Sequence, residues 1–180
     1  ELMGIISARP LDNPSLRVTI PEGYTYGQIA DLLSEKGIID REKFDDEAEN
    51  GEFDYEFLKD IPPERHPRLE GYLFPDTYIF NSEADERAVL KKMLDNFDAK
   101  FRQEYYGRAR ELDMTVDDII TLASIVEREA KIQSDRPVIA GVFYNRLNSS
   151  DMTMRKLQSC ATVQYIILNK EGRIKDILSE

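Results

Sequence analysis

The spacing of apolar residues changes along the chain, from the alternation typical of strands to a helical period after about residue 82. From Leu16 to Ile20 apolar and polar residues alternate, which predicts a half-buried strand that ends at Pro21. The run from Leu69 to Phe80 is rich in aromatic and β-branched residues. It predicts a second strand, or two strand pieces broken near Pro75.

Two helices are predicted between these strands. The first begins at Thr25, which can form a capping box with Gln28, and ends at Gly37, a residue suited to the left-handed conformation at a helix C-terminus. Asp40 is the expected cap of the second helix, which we predict to reach Phe44. The acidic stretch that follows is predicted to be a solvated surface.

Further helices are predicted after Ser82, each with its own start signal. They run from the capping pair Ser82 and Asp85 to Gly107, from the capping pair Thr115 and Asp118 to Lys131, from Ser134 or Asp135 with Pro137 in the first turn to Leu147, and from Ala161 to Leu168. The helix that ends at Leu147 has its apolar positions at Val138, Val142, Phe143 and Leu147.

This order of elements predicts the α+β fold class with two units. A mixed unit of strands and helices spans residues 16–82, and a helical unit spans residues 83–180. Residues 1–15 contain Pro10, Asn13 and Pro14, so we expect a lead-in without regular structure.

The composition narrows the range of functions. The chain has 180 residues, of which 41% are hydrophobic and 33% charged, so it can form an ordinary globular core. Its net charge of −11 argues against nucleic acid as a partner, because affinity for the phosphate backbone depends on Lys and Arg. No stretch approaches the roughly 18 apolar residues of a membrane-spanning helix.

Residues that commonly build active sites are scarce. Cys160 is the only cysteine and His66 the only histidine, which excludes an intramolecular disulfide, a Cys-based zinc site and a site with several imidazole ligands. His66 lies between Arg65 and Pro67, a setting typical of an exposed turn. Neither a Walker-type loop nor a G-x-G-x-x-G pattern occurs. We therefore predict no metal and no cofactor, and carboxylate chemistry remains.

Two acids, Glu127 and Glu129, border the apolar stripe of the helix predicted to begin at Thr115. A carboxyl at such a border is partly desolvated, and the resulting rise in pKa would let it act as a general acid near neutral pH. The alternative is a boundary residue paired with Arg128 or Lys131. Periodicity does not distinguish between the two glutamates.

The same helical period places a third charged residue, Arg128, away from the apolar stripe. It shares that outward face with Asp117 and Thr121.

Four sequence motifs follow one another between residues 69 and 165. They are LEGYLFPDTY at 69–78, ASIVERE at 123–129, VIAGVFYNRL at 138–147 and LQSCATVQY at 157–165. In this combination and order they resemble the YceG-like family, the MltG-type endolytic murein transglycosylases of bacteria.

The resemblance implies a fold and an activity. It implies a LysM-like unit over residues 16–82 and a mainly helical catalytic domain over residues 83–180, truncated at its C-terminus. The family cleaves the β-1,4 bond between N-acetylmuramic acid and N-acetylglucosamine in nascent peptidoglycan glycan strands. It leaves 1,6-anhydro ends and so limits strand length. The implied partners are these strands and peptidoglycan synthases at the membrane.

The resemblance also implies roles for single residues. The catalytic acid is the first glutamate of the ASIVE motif, which is Glu127 here. Glu70, in the first motif, is the competing acid and is expected to contact substrate or support Glu127. Other expected substrate contacts are neutral or aromatic side chains able to bind sugar hydroxyls or to stack on a pyranose ring. They are Tyr72 or Tyr78, Tyr144, Asn145, Gln158 and Ser159.

The chain departs from the family pattern at both ends. Family members carry an N-terminal membrane-spanning helix, so we expect this chain to come from a longer protein with a single-pass anchor and to work on the extracytoplasmic face of the bacterial cytoplasmic membrane. A further family motif, with Asn-Thr-Tyr and Gly-Leu-Pro-Pro-Gly-Pro-Ile runs, is absent. If that segment lines the cleft, we expect the chain to bind glycan but to cleave it poorly.

Two other interpretations remain. One is a non-catalytic glycan-binding or scaffolding module, which a LysM-like unit alone would support. The other is the aminodeoxychorismate lyase activity that labels some relatives. That activity needs a phosphate cradle for pyridoxal phosphate, and no Gly-rich helix start offers one.

Overall fold

A computed structural model describes residues 15–171, so nearly all of the predicted lead-in and the segment after Glu171 lie outside the described residues. Within this range the protein is helix-rich with one small sheet, an α+β arrangement. Its elements are β1 (Ser15–Thr19), α1 (Tyr26–Glu35), α2 (Arg41–Asn50), β2 (Thr77–Asn81), α3 (Glu86–Lys100), α4 (Gln103–Glu111), α5 (Val116–Glu129), α6 (Arg136–Leu147) and α7 (Cys160–Glu171), with 3₁₀ turns at Glu56–Leu58 and Gln133–Asp135.

The sheet consists of β1 and β2, which pair antiparallel although two helices separate them in sequence. Leu16 lies opposite Phe80 and Val18 opposite Tyr78, so these four apolar residues share one face, whereas Ile79 lies on the other face and is 53% exposed. The alternation that predicted β1 is therefore confirmed to within one residue, and its buried face covers the core.

Local capping signals set the ends of α1. The Thr25 side chain accepts a hydrogen bond from the backbone of Gln28, and the Gln28 side chain accepts one from the Thr25 backbone N–H, which completes the predicted capping box. Gly37 follows the helix with φ +67°, as predicted from its position. Each of these signals depends on residues only a few positions apart in sequence, so tertiary packing does not alter it.

Helix α2 is longer than predicted. Asp40 caps it by accepting a 3.1 Å hydrogen bond from Lys43 N, but the helix continues past Phe44 to Asn50. Buried Phe44 and Ala48 lie four residues apart on its inner face. The first half of the acidic stretch, which the sequence predicts to be a solvated surface, thus lies on this helix.

The prediction of a strand from Leu69 to Phe80 was wrong for its first half. Residues 69–74 form turns, and the strand begins only at Thr77. The apolar side chains of the turn are nevertheless buried, since Leu69 and Tyr72 have no exposed surface. The apolar composition that resembled a strand is therefore explained by the burial of these side chains in the core.

The long helix predicted from Ser82 to Gly107 is two helices. Asp85 alone caps α3 by accepting from Ala88 N, while Ser82 lies in the preceding turn. The helical path breaks after Lys100, where Phe101 has ψ +85°. Its ring stacks on Phe97 at 5.5 Å, so the apolar stripe continues through the break.

The hydrophobic core continues across residue 82, where the sequence predicts a domain boundary. Helix α3 packs on α2, and its buried side chains join those of the sheet and α1 in one cluster. Phe57 lies at the centre, with ring centroids 5.6 Å from Tyr72 and 4.6 Å from Phe97. The last four helices extend from this cluster through Tyr106 and Val116.

Helix α5 shows one reversal of the sequence prediction. Asp117, assigned to the outward face, is buried and forms an ion pair with Arg65. The side of α5 that carries Asp117 therefore faces the mixed part of the fold. Thr115 and Asp118 form the predicted capping box at its start.

Helices α6 and α7 contact α5 but bury little of their own apolar surface. Of the apolar positions predicted for α6 only Phe143 is buried, and Val138 is 69% exposed. No cap from Ser134 or Asp135 forms, and α6 starts after the 3₁₀ turn with Pro137 in its first turn. Between residues 15 and 171, no helix combines the length and apolar character needed to cross a membrane.

Candidate active site

A cleft of about 580 Å³ opens between α4, α5 and α6. Its walls are mainly apolar, because part of the apolar stripe of α5 is left uncovered there. The polar lining comes from Glu127 on α5, Arg136 and Tyr144 on α6, and Arg108 on α4. The apolar lining is Leu112, Met114, Ile119, Leu122, Ala123, Val126, Pro137, Ala140 and Gly141.

Glu127 lies near the C-terminal end of α5 and brings a carboxylate to the cleft. Its Oε2 atom is 2.7 Å from Nη2 of Arg136, and both side chains keep 36% of their surface exposed. The predicted partial desolvation is therefore present. The ion-pair partner is Arg136, however, and neither Arg128 nor Lys131 as the sequence suggested.

Tyr144 lines the same cleft, so the structure brings it together with Glu127. Its hydroxyl donates a 3.2 Å hydrogen bond to the carbonyl of Leu112, which ties α6 to the end of α4. The ring therefore has a fixed orientation at the cleft wall, where it can contact a bound ligand.

Glu129, the other acid of the motif, accepts hydrogen bonds from the start of α7. Its Oε1 accepts a 2.6 Å hydrogen bond from Ser159 Oγ and a 3.4 Å bond from Ala161 N. Ser159 is buried. This carboxylate thus anchors the first turn of α7 on α5, and the structure separates the roles of two glutamates that periodicity left equivalent.

Glu70 is not among the residues that line the cleft. Its two carboxylate oxygens accept hydrogen bonds from the backbone N–H of Tyr26 at 3.1 and 3.2 Å, and the Tyr165 hydroxyl donates to Oε2 at 3.2 Å. Burial raises the pKa of Glu70, and these two donors oppose the rise. Glu70 therefore connects the start of α1 to the middle of α7, away from the cleft that Glu127 lines.

Tyr72 and Tyr78 are core residues. Tyr72 is fully buried, and its hydroxyl donates a 2.8 Å bond to Asp117, whereas the Tyr78 hydroxyl donates to the Phe74 carbonyl at 2.6 Å. Burial and the neighbouring carboxylate raise the pKa of Tyr72 above its usual range. Neither ring offers a face to a sugar, so direct stacking by these two residues does not fit this structure.

Asn145 and Gln158 are exposed and lie outside the cleft lining. Gln158 has φ +53° and precedes Ser159 at the turn into α7. Arg146 donates a 2.6 Å bond to the Leu157 carbonyl and holds this turn near α6. Both exposed amides remain accessible to a long polymer.

Among the described residues, no group of three or more His, Cys, Asp and Glu side chains is placed to hold a metal ion. His66 lies in an exposed turn, 3.2 Å from Glu49, and Cys160 is exposed at the start of α7.

Sequence reasoning missed Arg136. It lies in the first turn of α6, where the helix dipole disfavours a cation, so a nearby carboxylate would stabilise it there. That signal does not name the partner, because Glu127 belongs to another helix. The structure is needed to join the two.

The chain matches the family model described as "YceG-like family" over residues 2–179. It is 36% identical over 163 residues to the endolytic murein transglycosylase of Streptococcus pneumoniae serotype 2 (strain D39 / NCTC 7466), an alignment that covers 82% of this chain and 29% of that protein. It is 30% identical over 171 residues to the endolytic murein transglycosylase of Bacillus subtilis (strain 168), covering 89% of this chain and 46% of that protein.

A solved structure is similar as well. The 2.6 Å crystal structure of a yceG-like protein from Listeria monocytogenes matches with a TM-score of 0.68 at 29% identity, over 88% of this chain and 53% of that chain. The present chain spans less than half the length of the curated relatives it matches. On the family match and these identities, the chain belongs to the YceG-like family.

Proposed function

We propose that this chain carries the catalytic acid of an endolytic murein transglycosylase, and that the acid is Glu127. One observation supports the assignment of the residue: among the described residues that line the cleft, Glu127 is the one carboxylate. The names of the relatives support the class of reaction, cleavage of peptidoglycan glycan strands.

In the proposed reaction, protonated Glu127 donates its proton to the glycosidic oxygen between N-acetylmuramic acid and N-acetylglucosamine. The bond from that oxygen to C1 of the muramic acid breaks. The C6 hydroxyl oxygen of the same sugar then attacks C1, and the Glu127 carboxylate accepts the hydroxyl proton. The product is a 1,6-anhydro end, Glu127 is protonated again, and no water is consumed.

A single carboxyl group suffices for this route. Glycoside hydrolases generally use a second carboxyl group as nucleophile or to activate water. Here the nucleophile belongs to the substrate, so its attack is intramolecular and avoids much of the entropic cost of bringing two reactants together. The engagement of Glu70 and Glu129 in contacts elsewhere is consistent with a one-acid mechanism.

The cleft suits a sugar chain in two respects. Its apolar walls can contact the C–H faces of pyranose rings and the methyl groups of acetamido substituents, and Tyr144 adds an aromatic surface. Asn145 and Gln158, exposed outside the cleft, are the proposed contacts to more distant sugars. Ser159, Glu70 and Tyr72 support the site through the packing of α5 and α7 and do not touch the glycan.

We extend the proposal to the mixed part of the fold. Two helices inserted between paired antiparallel strands form a β-α-α-β unit, and this order supports the LysM-like assignment for residues 16–82. A polar groove lies beside the start of α1, lined in part by Thr25, Gln28 and Asp31. Such a unit would hold the strand while the helical part cleaves it.

The cellular setting rests on the resemblance to the family. We propose action on nascent strands at the extracytoplasmic face of the cytoplasmic membrane, beside peptidoglycan synthases, in a protein held by a single-pass anchor. Cleavage there would limit the length of glycan strands.

Mass spectrometry of products from uncrosslinked glycan strands tests the proposal. The chain should yield fragments with 1,6-anhydro ends, and Glu127→Gln should yield none, while Glu104→Gln, a change at an exposed ion pair on α4, should match the parent. Products with ordinary reducing ends would indicate a hydrolase and direct attention to Glu70. If none of the proteins cleaves the glycan, the test is repeated with a chain extended beyond Glu180, and glycan retention without cleavage by that chain would favour the binding-module interpretation.

A further inference from the structure

Arg136 occupies a position that α6 does not itself favour. It lies in the first turn, where the unpaired backbone N–H groups carry partial positive charge. The Glu127 carboxylate at 2.7 Å compensates for this position. Of the two other polar groups in the cleft, Arg108 forms an ion pair with Glu111 at 2.6 Å and Tyr144 donates to a carbonyl.

The pairing uses only part of what the guanidinium offers. Nη2 contacts Glu127, whereas Nε is buried and has no hydrogen-bond partner among the described residues. In an arginine side chain Nε–H and the adjacent Nη2–H point the same way, and together they match the two oxygens of a carboxylate. Of the two nitrogens that form this fork, Nη2 is paired with Glu127, and Nε is open, with no partner among the described residues.

A buried N–H group without an acceptor is costly, and most such groups in folded proteins are paired. The open Nε–H is therefore explained most simply by an acceptor that is present in only one state of the site. A carboxyl group can supply such an acceptor. The oxygen that carries the proton donates a hydrogen bond, and the same oxygen becomes an acceptor when the proton leaves.

We propose that Arg136 is a positioning residue that acts through Glu127, and that its open Nε–H is held for Oε1 after Glu127 gives up its proton. The inference rests on the proposed function. When Glu127 carries the proton that it will donate, Oε2 stays beside Nη2 and Oε1 bears the proton toward the cleft. As the proton moves to the glycosidic oxygen, negative charge spreads over both carboxylate oxygens and Nε–H closes the fork.

The terminal torsion of a glutamate side chain is soft, so the carboxyl group can turn to present both oxygens to the Nε and Nη2 edge of Arg136. When the carboxylate later takes the proton of the C6 hydroxyl, the fork opens again. The Arg136 Nε–H donor is already in place and the cleft walls are apolar. It therefore stabilises mainly the negative charge that develops on Glu127 during proton transfer.

Kinetics on uncrosslinked glycan strands provide the first test. Arg136→Ala should lower kcat by roughly 10²–10³-fold, the effect of losing a donor to transition-state charge, with a much smaller change in KM. Millimolar guanidinium should restore part of the lost kcat, and equal urea should not. Arg136→Lys keeps the charge without the fork, so it should fall between the two proteins. Arg102→Ala, at an exposed ion pair, is the control and should match the parent.

Three results would overturn the inference: an Arg136→Ala protein with parental kcat, a loss that appears only in KM, or a loss that guanidinium does not restore although the melting temperature is unchanged. If Glu127→Gln retains activity, the proposed function itself fails. If that variant is inactive while Arg136→Ala is fully active, only the present inference fails.

A second test does not depend on turnover. In the ¹⁵N-labelled chain, the Arg136 Nε–H resonance, assigned by its absence in Arg136→Lys, reports whether the fork is closed. It should lie further downfield and exchange more slowly with solvent in the parent than in Glu127→Gln, because the amide has only one oxygen to accept from the fork. A resonance with the same position and exchange rate in both proteins would contradict the inference.

Discussion

The Tyr72 hydroxyl donates a 2.8 Å hydrogen bond to Oδ1 of Asp117, a residue 45 positions later in the chain. Arg65 forms an ion pair with the same oxygen and donates a 2.9 Å bond to the Glu70 carbonyl. The side chains of Arg65 and Asp117 are only 19% and 11% exposed. Together these contacts fix the first turn of α5 on the loop that precedes β2.

Replacing Asp117 by Asn should destabilise the protein strongly. Arg65 would lose its counter-charge while remaining mostly buried, so we expect the free energy of unfolding to fall by about 3 kcal/mol. Urea unfolding followed by circular dichroism measures this. Glu111→Gln, which breaks an exposed ion pair, should stay within about 0.5 kcal/mol of the parent. Equal effects of the two changes would refute the importance of burial here.

A side chain at Gly71 should disturb the same interface. Gly71 has φ +87°, and a Cβ there would lie 2.8 Å from Cγ2 of Ile120 on α5. Gly71→Ala should therefore cost about 2 kcal/mol in thermal or urea unfolding, from backbone strain plus overlap. Gly37→Ala, with φ +67° and open space, should cost only about 1 kcal/mol.

A double-mutant cycle separates the two parts of that cost. In an Ile120→Ala background the overlap is gone, so Gly71→Ala should cost about 1 kcal/mol less than in the parent. An unchanged cost would show that strain alone is responsible.

The hydrogen bond from Ser159 to Glu129 should control how firmly α7 docks. Among residues 15–171, Ser159→Ala leaves Glu129 with only the longer bond from Ala161 N, and we expect a loss of about 1–2 kcal/mol. Hydrogen exchange in peptides from residues 159–168 should accelerate more than in peptides from α1. Ser124→Ala, which removes an exposed bond within α5, should leave exchange in α7 unchanged.

The pH dependence of stability should report on Glu70. Burial raises the pKa of this carboxyl above its ordinary value of 4.5, so the folded state binds its proton more tightly than the unfolded state. The stabilisation that this proton provides is complete below pH 4.5 and is lost as pH rises through the raised pKa. In Glu70→Gln that decline should be missing, so its stability relative to the parent should improve upward from pH 4.5.

Urea unfolding of both proteins between pH 4 and pH 7 measures the difference. The charged groups nearest Glu70 are Arg65 and Arg128, and neither changes charge in this range. A stability difference that does not vary with pH would contradict the assignment.

The sequence predicted best what is decided locally. The capping boxes at Thr25 and Thr115 and the alternation of β1 involve residues a few positions apart, and all are present. The helix break at Phe101 was missed because its aromatic ring continues the apolar stripe without a Gly or Pro to mark the end. Asp117 was placed outside because helical periodicity treats an acid as solvated, whereas Arg65 lies 52 positions away.

In the candidate site, too, the sequence predicted local features and missed the contacts between distant elements. Periodicity brought Glu127 and Glu129 to the border of the apolar stripe, but their separate roles depend on Arg136 and Ser159 from other elements. The aromatic character of Tyr72 suggested a sugar platform. Only the fold shows that its ring is covered by the core. Contacts between distant elements are set by packing, and no short window of sequence contains them.

The pairing of β1 with β2 has a consequence for the nascent chain. Thr19 and its partner Thr77 are 58 residues apart, so at about 5–20 residues per second β1 leaves the ribosome roughly 3–12 s before the strand it needs. Helices α1 and α2, whose capping is local, can form in that interval. Until Thr77 emerges, the edge of β1 is an open template for pairing with other chains. A chaperone that covers this edge would act during the same interval.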